Sequence, residues 1–272
     1  MNEQEIFLER LTVRPTLACN FKCKLCNEFA PYYHPPKVSK LEEVTRDIDR
    51  VFSLVDRVSR MEISGGEPLL YTGLAGLLEH LYKYNDRFEF FSMVTNGSLI
   101  FSDEALAALV DIGPKVRIIV DDYGHKLSIN AQRCAEQLKE KGIRYELRDQ
   151  FENVHADGWL DFRDMELKHD ETEAKAIFAR CVCPQKLHWV VTLHDGKLYP
   201  CHFARRCTEL DIVPMAAPDC IDLYDPTVTD KELKEHICSL YTVDMLASCR
   251  YCSGFLEDRE RFMPAEQIGE TP

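Results

Sequence analysis

The sequence predicts an α/β protein: a partial (β/α) barrel of about five strands and four helices, followed by a small α+β module. Three observations predict this. Strand-like runs begin at 60, 88, 116 and 144, one every 28 residues, the length of a strand–helix unit. Helix-capping and helix-stop signals fill the intervals between them. After Gln150 the period stops and the signature of a hairpin replaces it.

The elements follow in order. An apolar run from Phe7 to Leu17 opens the chain as a strand. Ser39-x-x-Glu42 reads as a capping box, after which Leu41, Val44, Ile48, Phe52 and Val55 mark one helical face. Arg60–Ser64 is the next strand and runs into Gly65-Gly66-Glu67-Pro68. Phe88–Thr95 leads to Thr95-Asn96-Gly97. Ser102 caps a helix stopped by Gly113-Pro114, Val116–Val120 runs to Asp121-Asp122, and Ser128 caps a helix ending at Gly142. Arg144–Arg148, then Asp149, completes the set. In a parallel sheet the loops after the strands gather on one rim. Cys19–Cys26, Gly65–Pro68, Asn96, Asp121-Asp122 and Arg148-Asp149 are therefore expected to meet.

Residues 1–150 form this core. A linker, 151–180, holds a polar loop at Asp157-Gly158-Trp159 and a helix from Asp170 to Arg180. The module spans 181–256. It contains a hairpin, Leu187–Leu193 and Lys197–Cys201 about Asp195-Gly196, then a helix from Thr229 to Tyr241 and a short one near Cys249. The tail, 257–272, is charged and is expected to be loose.

Composition excludes several functions. The net charge of −13, with no basic run, argues against a nucleic-acid partner. No signal-peptide pattern and no apolar stretch long enough for a membrane helix are present, so a cytoplasmic protein is expected. Twelve cysteines exceed ordinary usage. Without an export signal, and with ligand-like spacing, they indicate metal ligation in preference to disulfides.

Cys19, Cys23 and Cys26 are spaced C-x3-C-x2-C after the first strand. A cubane iron–sulfur cluster usually takes four thiolates, so a loop with three leaves one iron open. This motif, followed on the next strand by Gly65-Gly66-Glu67-Pro68, resembles the radical SAM superfamily. The resemblance implies that the three cysteines bind a [4Fe–4S] cluster whose open iron chelates S-adenosylmethionine. Its cleavage gives a 5′-deoxyadenosyl radical that abstracts hydrogen from substrate. Gly65, Gly66, Glu67 and Pro68 would meet the cofactor's amino group, and Asn96 and Asp121 its ribose. The residue before the third cysteine is commonly aromatic in that family. Here it is Leu25, leaving adenine packing to Leu25 or to Phe29, Tyr32 or Tyr33. Arg148 and Asp122 are candidate catalytic residues, and His155 and Trp159 candidate substrate contacts. The shortened barrel resembles the branch containing the butirosin-pathway alcohol dehydrogenase.

Cys183, Gly196 and Cys201 are spaced C-x12-G-x4-C, and Cys249-x2-Cys252 follows 47 residues later. The set resembles the twitch module, an abridged SPASM domain, which implies a second, auxiliary [4Fe–4S] cluster. The same four cysteines would also suit structural zinc. Cys181 competes with Cys183 as first ligand. Cys134 reads as core packing, while Cys207, Cys220 and Cys238 lack ligand spacing, although one of them could serve as a thiol hydrogen donor.

An auxiliary cluster with no open iron would accept an electron. The sequence is thus read as an oxidoreductase acting on a small polyol, sugar or aminocyclitol, supplied by a flavodoxin- or ferredoxin-type donor. Alternatives are an epimerase, a peptide-modifying enzyme, for which the 18 residues before Cys19 leave no room for a leader-binding domain, and a non-catalytic zinc protein.

Overall fold

The computed structural model describes residues 5–152 and 154–269. Five parallel strands, β1 (Phe7–Val13), β2 (Arg57–Ile63), β3 (Phe88–Thr95), β4 (Val116–Asp122) and β5 (Arg144–Asp149), alternate with α1 (Leu41–Leu54), α2 (Leu74–Tyr82), α3 (Asp103–Ile112) and α4 (Ala131–Glu140). Next come α5 (Glu171–Phe178), α6 (Val182–Gln185), β6 (Val191–His194), β7 (Lys197–Tyr199), α7 (His202–Glu209), β8 (Ile221–Asp222) and α8 (Asp230–Ser239). A single sheet runs β5-β4-β3-β2-β1-β6-β7-β8. It is parallel from β5 through β6, and β7 and β8 are antiparallel additions.

Period-two alternation sets the two faces of the sheet. Leu11 and Val13, Met61 and Ile63, Phe91 and Met93, and Ile118 and Val120 enter the main core under the helices. Their neighbours Arg10, Arg14, Arg60, Glu62, Val94, Ile119, Asp121 and Arg148 face a cavity on the other side. The strands do not close on themselves, so the barrel is partial.

Several local expectations shift. The hairpin's first strand, β6, pairs with β1 in parallel and becomes a sixth parallel strand beside the five of the core. Ser39 does not cap α1. Its hydroxyl bonds Asp195 (3.0 Å), and the box moves on by one residue, with the Lys40 N–H donating to Glu43 (3.0 Å). Ser128 does not cap α4, which begins after Asn130. Its hydroxyl instead accepts from the Tyr123 N–H (2.8 Å) and donates to the Asn96 carbonyl (2.7 Å), tying two rim loops. Ser102 caps its helix as expected, and Asp170 and Thr229, where two further helices were expected to begin, serve as their caps. The Asp195-Gly196 turn has φ of 48° and 70°, the left-handed pair that a two-residue hairpin needs. No helix among the described residues is long and apolar enough to cross a membrane.

Candidate active site

The concave face of the sheet and the loops above it enclose a cavity of about 600 Å³, within the usual range for ligand sites. Cys19, Cys23 and Cys26 all line it at the strands' C-terminal end. Burial pushes the Cys19 and Cys23 thiols up to about 12, and Cys26 upward as well. These sulfurs accept hydrogen bonds: Cys19 from the Phe21 N–H (3.4 Å) and Cys23 from Gln267 Nε2 (3.4 Å). The core thiol Cys134 does the opposite, donating to the Leu99 carbonyl at 2.8 Å. An accepting sulfur suits a thiolate, the form that binds metal. Among the described residues no three Cys, His, Asp or Glu side chains are gathered closely enough for one metal ion. A cubane asks for a wider arrangement, one thiolate to each iron around a cavity.

The glycine pair packs against the cysteine loop. A Cβ on Gly65 would lie 2.3 Å from the Thr16 carbonyl oxygen, and one on Gly66 2.1 Å from that of Ala18. Only glycine lets the loops approach this closely, and the Gly66 and Glu67 N–H groups use the approach to donate to Thr16 and Ala18 (both 2.9 Å). Glu67 is buried, and its carboxylate accepts from the Leu69 N–H (3.0 Å), Thr95 Oγ1 (2.8 Å) and the Asn96 N–H (2.8 Å). It therefore joins the loops after β2 and β3, and burial holds its carboxyl above the usual range.

Asn96 points Nδ2 at Cys19 Sγ, 3.8 Å away, and donates to Asn20 (3.0 Å). Asp121 accepts from Gln150 (3.1 Å), and burial raises its carboxyl also. Arg148 lines the cavity while pairing with Glu146 on its own strand (2.9 Å). Gly65, Gly66, Glu67, Asn96, Asp121, Arg148, His155 and Trp159 thus share one cavity with the three cysteines. Leu25, Pro68 and Asp122 are not among its lining residues, nor are Phe29, Tyr32 and Tyr33. Asp122 turns aside to accept from the Gly124 N–H (2.9 Å). The aromatic surface at the trio is Phe21, Tyr123 and Trp159, joined by edge-on contacts at 6.0 and 5.9 Å.

Three features of the site were not anticipated from sequence. The described part of the tail is anchored over the trio: Lys24 donates to the Glu266 carbonyl (2.7 Å), Ile268 to that of Lys22 (2.8 Å), and Ala265 is buried with Phe21 and Cys23. Glu28 forms a buried triad, accepting from Arg14 Nε and Nη2 (2.9 and 2.7 Å) and from Arg205 Nη2 (3.0 Å). Burial opposes its ionisation, but the two guanidinium groups outweigh it and hold the carboxyl at about 2. The third feature is the salt bridge from Arg10 to the buried Glu62 (2.6 Å) on the cavity floor. A polar residue such as Glu28, two after one cysteine and five after another, carries no periodic signal.

The members of the second cysteine set are neighbours in the fold, Cys201 feeling Cys183, Cys252 and Cys249. Cys201 precedes α7, accepting from the Ala204 N–H (3.4 Å), while Cys249 accepts from Leu246 (3.4 Å) and Cys252 from Gly254 (3.3 Å). Burial pushes Cys183, Cys249 and Cys252 up to about 12, and their electrostatic neighbours are one another, Cys181 included. Cys183 alone of the set also lines the cavity. Cys207 and Cys220 are buried away from it, and Cys238 is exposed.

Comparison with known proteins agrees with this architecture. A protein of Methanococcus maripaludis strain C7 named probable GTP 3',8-cyclase is 33% identical over 143 residues, 52% of this chain and 45% of that protein. The GTP 3',8-cyclase of Helicobacter pylori is 30% identical over 95 residues, 34% of this chain and 29% of its own. The chain thus spans less than half the length of these relatives. Among solved structures, BtrN in complex with AdoMet and 2-DOIA superposes over 95% of this chain and 98% of its own, with a TM-score of 0.52 and 17% identity. Native anSMEcpe with bound AdoMet covers 94% and 93%, with a TM-score of 0.53 and 16% identity. At such identities the likeness is one of fold. The profile of the radical SAM superfamily matches residues 13–150, half of the chain and the part that carries the three-cysteine loop and the glycine pair. With sheet, rim and profile in agreement, this chain belongs to the radical SAM superfamily, a membership that implies a [4Fe–4S] cluster and S-adenosylmethionine.

Proposed function

We propose that this protein is a radical SAM oxidoreductase in which Cys19, Cys23 and Cys26 hold the first cluster and Cys183, Cys201, Cys249 and Cys252 an auxiliary [4Fe–4S] cluster. When bound, the first cluster and S-adenosylmethionine supply a hydrogen-abstracting radical. The residues of the chain supply placement. Gly65 and Gly66 bring backbone to the cofactor's amino group, Glu67 fixes that loop, and Asn96 and Asp121 address the ribose. Phe21, Tyr123 and Trp159 shield the chamber from water, and Arg148 orients the substrate.

The observation that carries this reading is Cys183, which lines the same cavity as the trio while belonging to the second set. Loss of a hydrogen atom from a secondary alcohol leaves one electron and the hydroxyl proton to be removed. A cluster held by Cys183, Cys201, Cys249 and Cys252 would supply an electron acceptor at the cavity wall, and with the hydroxyl proton lost to a base the product would be a ketone. BtrN, solved with 2-DOIA, matches 95% of this chain in fold, which supports a small polyol, sugar or aminocyclitol as substrate. The GTP 3',8-cyclase matches extend over 52% and 34% of this chain, too little to carry their reaction across. The reducing electron comes from a flavodoxin- or ferredoxin-type donor, and the many free cysteines favour a cytoplasmic setting.

Anaerobically reconstituted protein is expected to bind about eight irons if both clusters are cubanes. With dithionite it should convert S-adenosylmethionine to 5′-deoxyadenosine, and a carbinol-deuterated substrate should pass deuterium into that product. Iron-replete protein that releases no 5′-deoxyadenosine would overturn the reading.

A further inference from the structure

The end of the cavity away from the cofactor rim is basic beyond what its own carboxylates answer. Arg10 and Arg60 are register partners on β1 and β2, and both line the cavity. Like charges side by side on one face of a sheet repel. Glu62 is the carboxylate beside them, and its acceptor sites are taken: Oε1 by Arg10 (2.8 Å) and Thr12 (3.3 Å), Oε2 by Arg10 (2.6 Å) and Ser92 (3.0 Å). Among the described residues the Arg60 guanidinium has no hydrogen-bonding or ionic partner. Arg10 Nε is buried without one, as is Arg14 Nη1 at the rim end of the same strand, beside Gly65. Glu28, the other carboxylate on this side, is already occupied by Arg14 and Arg205.

We propose that Arg10 and Arg60 bind an anionic group of the substrate, a carboxylate or a phosphate. Guanidinium forks suit both. The inference rests on the cavity being the substrate chamber of the enzyme described above, and it narrows the substrate class to acidic or phosphorylated polyols and sugars. An aminocyclitol's ammonium would be repelled here. Arg60 lies four residues before Ser64, about 13 Å down the strand from the cofactor rim at the usual rise per residue. The anionic group is therefore remote from the carbon that loses hydrogen, separated from it by several bonds.

The test uses the reconstituted holoenzyme with inorganic phosphate and acetate as probes, each titrated by calorimetry. Wild type should bind at least one of them, and which one identifies the group. Arg60→Gln, at an exposed residue with no partner, should fold normally by its melting temperature and weaken that binding by about tenfold or more, the effect of losing a charge-assisted contact. Arg117→Gln, which removes the same charge outside the cavity, should bind as wild type. Equal binding by Arg60→Gln and wild type overturns the proposal. So does competition between the bound anion and S-adenosylmethionine with weakened cofactor affinity in Arg60→Gln, because the seat would then belong to the cofactor's own carboxylate. Failure of the oxidoreductase reading is separately visible as absence of 5′-deoxyadenosine from wild type.

Discussion

The two cysteine groups use similar chemistry in different surroundings. The trio sits on a loop at a cavity mouth, three thiols with space in front of them and a roof of aromatic rings. The second group has no such space before it: Cys201, Cys249 and Cys252 are half-buried against apolar clusters that core and module share, and only Cys183 reaches the cavity wall. An open position suits binding and bond cleavage, whereas a closed one suits electron transfer, the same division that separates catalytic from structural metal sites. The Arg14–Glu28–Arg205 triad ties the end of β1 and the first cysteine loop to α7, the helix that Cys201 precedes, so the two regions are linked.

The largest effects should come from the cysteines themselves. Replacing Cys19, Cys23 or Cys26 by Ala should remove about four irons and abolish 5′-deoxyadenosine formation. Cys201→Ala should remove a similar number but leave cleavage of the cofactor intact while stopping net oxidation. Loss of cleavage in both would erase the contrast drawn above.

Glu28→Gln comes next. It leaves two buried guanidinium groups facing each other without a carboxylate, a loss on the order of 3–5 kcal/mol for a buried pair. Thermal melts of the reconstituted protein would measure it, and a melting temperature equal to wild type would deny the triad its linking role. A narrower comparison sets Cys183→Ser against Cys181→Ser by iron content and electron paramagnetic resonance. The first should lose the auxiliary signal, the second should keep it.

Glu62 gives a pH-dependent test. Burial alone would raise its carboxyl, but Arg10 prevails and lowers it below 4.5. Its contribution to stability is therefore complete above that value and lost as pH falls through the lower folded value. Denaturation curves of wild type and Glu62→Gln should differ at pH 7 and converge in acid. The smallest change belongs to Cys134→Ser, with iron content unaltered and a stability cost of about 1 kcal/mol, as for an ordinary core substitution.

How much of this could be read in the chain varies by region. β3 was legible to the residue because its apolar run is bounded on both sides, and α3 because Ser102 and Gly113 mark its ends. The rim was legible through topology: parallel strands oblige their following loops to meet, and Gly65, Asn96 and Asp121 do meet the trio. Local side-chain choices were not. Ser39 and Ser128 had the right chemistry for caps but found partners across the fold. Leu25 stood in the position usually held by an aromatic, yet the rings near the trio come from Phe21, from the loop after β4 and from Trp159. The tail looked loose because its anchors are backbone bonds to Lys22 and Lys24, which no composition reveals.

The alternation of strand and helix, the spacing of the thiols and the order of the motifs are written in the chain, since periodicity and ligand spacing are local properties. Only the packed fold settles that β6 extends the core sheet, that Cys183 looks into the same cavity as the trio, and that Arg10 and Arg60 stand side by side on one wall with Glu62 already engaged. The physical reason is that charge balance and burial depend on which distant residues share a volume, and that is fixed only when the strands pair.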